Sequence, residues 1–273
     1  MLGHRQSVIG LFLTLLLTGG LLTIPVAASN AAPIAPAPGP LANNPMAKKT
    51  KRVVIRKINN AIDAAVPGSD IYIASWNMRN TGAVKALLRA QKRGVRVLLI
   101  MAKENSSTGR QKGKRMTNKY FTTLSRGLAK GNRFVAPERR SGTKLCAHSC
   151  RGTTGIAHTK FYLFSQAGTA TNVVMYGSSN LTDLAATNQW NDIFTVVGNA
   201  EMYAFMVDAF NQMWADVPQP APYMSGTFAN MQFINGPVRG PGAPDNVVLQ
   251  DLNKVQCTGA APGRGNGSGK TRI

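Results

Sequence analysis

Apolar positions along the chain follow two periods, and the two alternate. Val54, Ile55, Ile58 and Ile62 recur at helical spacing and the pattern stops at Pro67-Gly68, which predicts a helix. Asp70 to Trp76 then reads Asp-Ile-Tyr-Ile-Ala-Ser-Trp, a short apolar run and so a buried strand. Thr81 caps a second predicted helix, with Val84, Leu87 and Leu88 on its apolar face and Gly94 at its end, and Val95 to Met101 is the next strand. A helix over Asn118 to Leu128 and a short strand over Arg133 to Ala136 follow, with exposed loops on either side. Ile156 to Phe164 and Val173 to Ser178 read as neighbouring strands joined by a turn containing Gly168, and Asp192 to Val197 as a further strand. The last helix turns Met202, Phe205, Met206, Ala209, Phe210 and Met213 inward. Helix and strand in alternation imply parallel strands covered by helices. The expected class is therefore α/β, a mixed, largely parallel β-sheet flanked by helices on both faces, over residues 48–217.

Outside those limits the pattern is different. Residues 1–28 hold Arg5 and no acid, an apolar stretch from Val8 to Ile24, and the small-residue site Val26-Ala27-Ala28, which predicts a secretory signal peptide and an extracellular location. Residues 29–47 are rich in Ala and Pro and read as a linker. Residues 218–273 are rich in Pro and Gly, with one short apolar run at Asn246 to Leu249, and are expected to be an extension, or the connector to a second half. Export makes the cysteines legible. Cys146 and Cys150 are close enough to close a small disulfide loop in an oxidising compartment, which leaves Cys257 without a partner. A metal site at Cys146, His148 and Cys150 is the weaker reading, because no fourth ligand is in view.

Charge narrows the partner. The 273 residues carry 32 Lys and Arg against 11 Asp and Glu, a net charge of +21, so the ligand is expected to be anionic. At 44% hydrophobic the chain is too apolar for a disordered polycation. Thirteen of the basic residues and only two acids, Glu104 and Glu138, fall in residues 103–151. The aromatics of that stretch, Tyr120, Phe121 and Phe134, are few, and Trp76, Trp190 and Trp214 sit at the ends of predicted elements and read as core.

Candidate chemistry follows that basic stretch. In Ile156-Ala-His-Thr-Lys-Phe, His158 and Lys160 are two apart, so an extended backbone turns both to one face. Tyr176-Gly-Ser-Ser-Asn180 places Ser178 and Asn180 together by the same period. An imidazole, an ammonium, a hydroxyl and an amide suit a phosphodiester: Lys160 offsets charge, Ser178 and Asn180 donate to non-bridging oxygens, and His158 attacks phosphorus or moves a proton. No metal or other cofactor is required. A lone histidine in an apolar strand is ordinarily a hydrogen-bonded core residue, and Gly-Ser-Ser-Asn alone is an ordinary turn. Together, a His-x-Lys strand and a hairpin to Gly-Ser-x-Asn resemble the signature of the phospholipase D superfamily.

The resemblance implies a phosphohistidine intermediate on His158, phosphate ligands at Lys160 and Asn180, and a supporting donor at Ser178. It also implies an acid that orients the histidine, with Asp192 the candidate and Asp183 behind it. The Asp that closes the family motif is Ser165 here. The family site uses two His-x-Lys motifs, and this chain has one, since His148 has no Lys two residues on. The expectation is a homodimer or one half of a two-motif protein. The function implied first is a secreted phospholipase D-like phosphodiesterase that hydrolyses or transfers phospholipid head groups, with membrane-surface contact. The alternatives are a single-motif homodimeric endonuclease acting on nucleic acid, and a non-catalytic protein that binds anionic ligands.

Overall fold

The computed structural model describes residues 34–111, 114–220, 223–236, 247–256 and 258–259. The predicted signal peptide, the start of the linker and Cys257 lie outside them. In chain order the elements are β1 (Gly39–Ala42), α1 (Val53–Ala64), β2 (Asp70–Ser75), β3 (Met78–Arg79), α2 (Thr81–Lys92), β4 (Arg96–Ala102), β5 (Ser107–Gln111), β6 (Lys114–Thr117) and α3 (Lys119–Gly131). They continue with β7 (Gly142–Cys146), β8 (Phe161–Ala167), β9 (Ala170–Gly177), β10 (Leu181–Thr182), α4 (Asp183–Thr187), β11 (Asp192–Val196), α5 (Ala200–Ala215), β12 (Met224–Phe228), β13 (Met231–Asn235) and α6 (Val247–Asn253).

Seven strands form the central sheet in the order β1-β11-β9-β8-β2-β4-β7. The ladders β2·β4 and β4·β7 are parallel and the other four antiparallel. β8 and β11 therefore run against the other five strands, and the sheet is mixed but largely parallel in direction, as expected. The reversal at β8 and β9 follows from the tight turn at Gly168, whose φ of +58° suits glycine. Period-two alternation divides the core. Ile71, Ile73, Val97, Leu99, Tyr162, Phe164, Val173 and Met175 face α1, α2 and α3. Tyr72, Ala74, Ile100, Phe161, Leu163 and Val174 face Met202, Met206, Phe210 and Met213 of α5.

Several boundaries differ from the expectation. Helix α2 is capped by Asn80, which accepts from the Ala83 N–H at 2.7 Å, rather than by Thr81. Residues 133–136 form no strand; the edge strand is β7, pinned through Ser141, whose Oγ accepts from the Val97 N–H at 2.9 Å. Part of the supposed linker is strand: β1 pairs with β11 at the sheet edge, where Pro40 costs no ladder bond on its open side. The domain also continues past Val217. The β12–β13 hairpin lays Phe228 and Phe233 against α5 and β9, with ring centroids 5.4 Å apart for Phe205–Phe228 and 5.1 Å for Tyr176–Phe233. Hydrophobic alternation there is diluted by Ser225, Gly226 and Thr227, which hid it.

Cys146 and Cys150 are disulfide-bonded and buried, with Cα atoms 5.1 Å apart, as the first reading of the pair expects. The turn they close is tied to the end of α5, where both carboxylate oxygens of Asp216 accept from the Ala147 N–H at 3.2 Å.

Candidate active site

Strand direction brings the predicted residues together. β8 runs antiparallel to both β2 and β9, so its start lies beside the ends of those two strands. His158 and Lys160 precede β8 rather than lying within a ladder, because the ladders begin at Phe161, opposite Ala74 and Tyr176. One further bond, from the Gly177 N–H to the Lys160 carbonyl at 3.3 Å, carries the pairing toward the site. Gly177 is required there by close packing: a Cβ would stand 2.4 Å from the Asp192 carbonyl oxygen.

A cleft of about 470 Å³ is lined by Trp76, His158, Lys160, Ser178, Asn180 and Trp190, among others. His158 is exposed, whereas Lys160 is buried. Burial brings the Lys160 ammonium down from 10.5 to about 8. Its Nζ donates to the His158 carbonyl and lies 5.9 Å from the centre of the Trp76 ring. The His158 imidazole is held below its ordinary 6.5, first by desolvation and then by the Lys160 charge, with Glu104 opposing. A neutral imidazole beside an ammonium is the state a nucleophile facing a phosphate needs.

Asn180 is buried and its orientation is set. Its Oδ1 accepts from the Asn77 N–H at 3.3 Å and from Ser75 Oγ at 3.4 Å, which turns its NH₂ away from those groups. Ser178 is exposed and paired with Asp192: Ser178 Oγ donates to Asp192 Oδ1, the Ser178 N–H donates to the same oxygen at 3.3 Å, and the Asp192 N–H donates to Ser178 Oγ at 3.0 Å.

The orienting role expected of Asp192 is therefore corrected. Its side chain holds Ser178, and among the described residues it has no hydrogen bond or ion pair to His158. Asp183, the other candidate, pairs with Arg52 at 2.8 Å and accepts from Asn80 at 3.0 Å. Glu104 is the acid whose charge opposes the lowering of the His158 imidazole, and it is bonded to Trp76: Trp76 Nε1 donates to Glu104 Oε1 at 3.1 Å, and the indole lies 5.2 Å from the imidazole, centre to centre. Glu104 was visible in the sequence as one of two acids within a basic stretch. The tryptophans also divide. Trp214 stacks on Phe210 in the core, but Trp76 forms the cleft wall and Trp190, 66% exposed, its rim.

Ser165, where the motif has Asp, has a structural task at the other end of β2. Its Oγ accepts from the Asp70 N–H at 2.8 Å, and Asp70 pairs with Arg96 at 2.9 Å and Arg139 at 2.6 Å.

The family model described as cardiolipin synthase, PLD-like domain, matches residues 54–214. The chain belongs to the phospholipase D-like family. No curated protein matches it. Solved structures of similar fold include Nuc, a phospholipase D family member from Salmonella typhimurium, at 18% identity and a TM-score of 0.47, covering 66% of this chain and 96% of that one. NucT from Helicobacter pylori is 14% identical with a TM-score of 0.44 over 66% of this chain and 96% of its own. Phosphatidylserine synthase from Haemophilus influenzae Rd KW20 is 14% identical, TM-score 0.43, over 64% of this chain and 38% of its own.

Proposed function

We propose that this protein is a secreted phosphodiesterase that works through a phosphohistidine on His158, and that its substrate is a nucleic-acid backbone. One observation supports the chemistry above the others: His158, Lys160, Ser178 and Asn180 line a single open cleft. A ring nitrogen of His158 attacks phosphorus, an N–P bond forms, and the bond to the leaving oxygen breaks. That oxygen takes a proton from a second histidine, supplied by a second copy of the domain in a homodimer. Water then attacks the phosphohistidine, gives its proton to the same base, and releases the phosphate monoester with His158 restored. Lys160 and the Asn180 amide hold the non-bridging oxygens throughout.

For the substrate, the cleft walls carry the argument. Trp76, Trp190, Gln189 and Asn191 line the cleft beside His158 and Lys160, on a chain of net charge +21. Rings stack bases and positive charge follows a phosphate backbone. A phospholipid head group is the second reading, favoured by Leu184, 58% exposed on an adjoining cleft that shares Trp76, Asn180 and Gln189 with the first.

One comparison separates them. Plasmid DNA cleavage and choline release from phosphatidylcholine vesicles are measured with and without chelator, for the wild type and for His158→Ala. DNA cleavage that is lost in His158→Ala and indifferent to chelator is expected. Choline release alone would replace the substrate, and full retention of activity in His158→Ala would overturn the mechanism. Sedimentation across the working concentration range tests the dimer.

A further inference from the structure

A second cavity, of about 210 Å³, also has His158 in its wall and is built chiefly by Ser149, Arg151, Met213, Asn235 and Gly236. Arg151 is 1% exposed, the largest fully buried side chain in the protein. Its Nε donates to Gln212 Oε1 and its Nη1 to the Gly236 carbonyl, both at 3.0 Å. Its Nη2 is buried and has no acceptor among the described residues, and the same holds for Asn235 Nδ2 and for Ser149 Oγ as a donor. Among the described residues no Asp or Glu lines the cavity. Asp208 acts on the guanidinium only through space, its own carboxylate accepting from Gln212 Nε2 at 2.9 Å.

Three unsatisfied buried groups around one cavity are costly unless something fills it, and a buried cation with no directly bonded counter-charge is the costliest of the three. A guanidinium, an amide and a hydroxyl around one cavity supply the several donors that suit an anion with several oxygens on one centre. The chain is shaped to put them there. The disulfide closes the turn at Cys150, so the next residue, Arg151, enters the interior, and the β12–β13 hairpin brings Asn235 and Gly236 to meet it.

We propose that Arg151, Asn235 and Ser149 form a second phosphate subsite, which holds the phosphate next to the scissile one in a nucleic-acid strand. The assignment of that phosphate rests on the reading of His158 as nucleophile; the two cavities meet at His158, so adjacent phosphates of one strand occupy them together. A polymer with one charge per residue then engages two fixed cationic points, Lys160 and Arg151, on either side of the reacting imidazole.

The test follows inorganic phosphate binding by Tm in the full chain, for the wild type, Arg151→Met, Asn235→Leu and Lys160→Met. Phosphate is expected to raise Tm in the wild type and in Lys160→Met, and the increment is expected to fall by at least about half in Asn235→Leu, which keeps the reading available if Arg151→Met does not fold. No increment in the wild type overturns the subsite, as does an increment that Asn235→Leu leaves whole and Lys160→Met abolishes. A second arm compares kcat/KM for a dinucleotide with and without a terminal phosphate. A preference of about tenfold or more in the wild type, reduced toward parity in Asn235→Leu, is expected. Parity in the wild type with both substrates cleaved overturns the subsite and leaves the phosphodiesterase reading standing. Cleavage of neither, with the phosphate increment intact, removes the phosphodiesterase reading and supports the anion site.

Discussion

Lys160→Met is expected to stabilise the fold while destroying the site. Burial lowers the Lys160 ammonium from 10.5 to about 8, a gap equivalent to about 3 kcal/mol against the charged form at neutral pH. Methionine removes that cost and fills the same space, but leaves the His158 carbonyl without the Nζ donor, a loss of about 1 kcal/mol. The net gain at pH 7 is about 2 kcal/mol. Its pH dependence carries the sign. Below about 8 the lysine is charged in both folded and unfolded chains and the whole cost is present. Between about 8 and 10.5 the folded chain has already released its proton while the unfolded chain still holds it, so wild-type stability rises with pH and the advantage of the variant fades. Guanidinium chloride unfolding of both proteins at pH 7, 9 and 10.5 reads this directly, and phosphodiester turnover should fall by at least about a hundredfold. A variant less stable than wild type at pH 7, or a stability difference that is constant with pH, would refute the reasoning.

Four further outcomes follow from the geometry. Because desolvation and Lys160 hold the His158 imidazole below 6.5, the acid limb of kcat/KM is expected below that pH, and Glu104→Gln should move it lower still in a pH–rate profile. Asp192→Asn, which weakens the hold on Ser178 without touching His158, should cost less than about tenfold in kcat/KM, whereas a loss beyond about a hundredfold would restore Asp192 as the orienting acid. Gly177→Ala drives a methyl against the Asp192 carbonyl and the Ile193 Cα, both backbone, and should destabilise by about 2 kcal/mol or more, measured as a fall in Tm. Replacing Cys146 and Cys150 together by Ala removes a short cross-link and should cost about 2 kcal/mol in chemical denaturation.

The elements read correctly from the chain are those with a strong local period. The spacing of Val54, Ile55, Ile58 and Ile62, or the apolar run from Ile71 to Ala74, has one physical solution whatever surrounds it. β1, β7 and the β12–β13 hairpin carry no such signal, because edge strands with one open side need neither continuous hydrophobicity nor freedom from Pro and Gly. His158, Lys160, Ser178 and Asn180 were legible because two residues apart on extended backbone means one face. The acid near His158 was not. Asp192 lies close to the motif in sequence, but its side chain is taken by Ser178, while Glu104, in the 3-10 turn that follows β4, holds the Trp76 indole that packs against the imidazole.

By itself, then, the sequence determined the α/β class, the pairing of imidazole with ammonium, and a strongly cationic chain suited to anionic ligands, since periodicity, strand geometry and net charge are properties of residues and their neighbours. Only the tertiary structure decided which groups share a cavity. Antiparallel β8 places His158 against the ends of β2 and β9, and the disulfide turn and the last hairpin bury Arg151 beside it. Those contacts join residues far apart in the chain, and no local pattern encodes the distance between them.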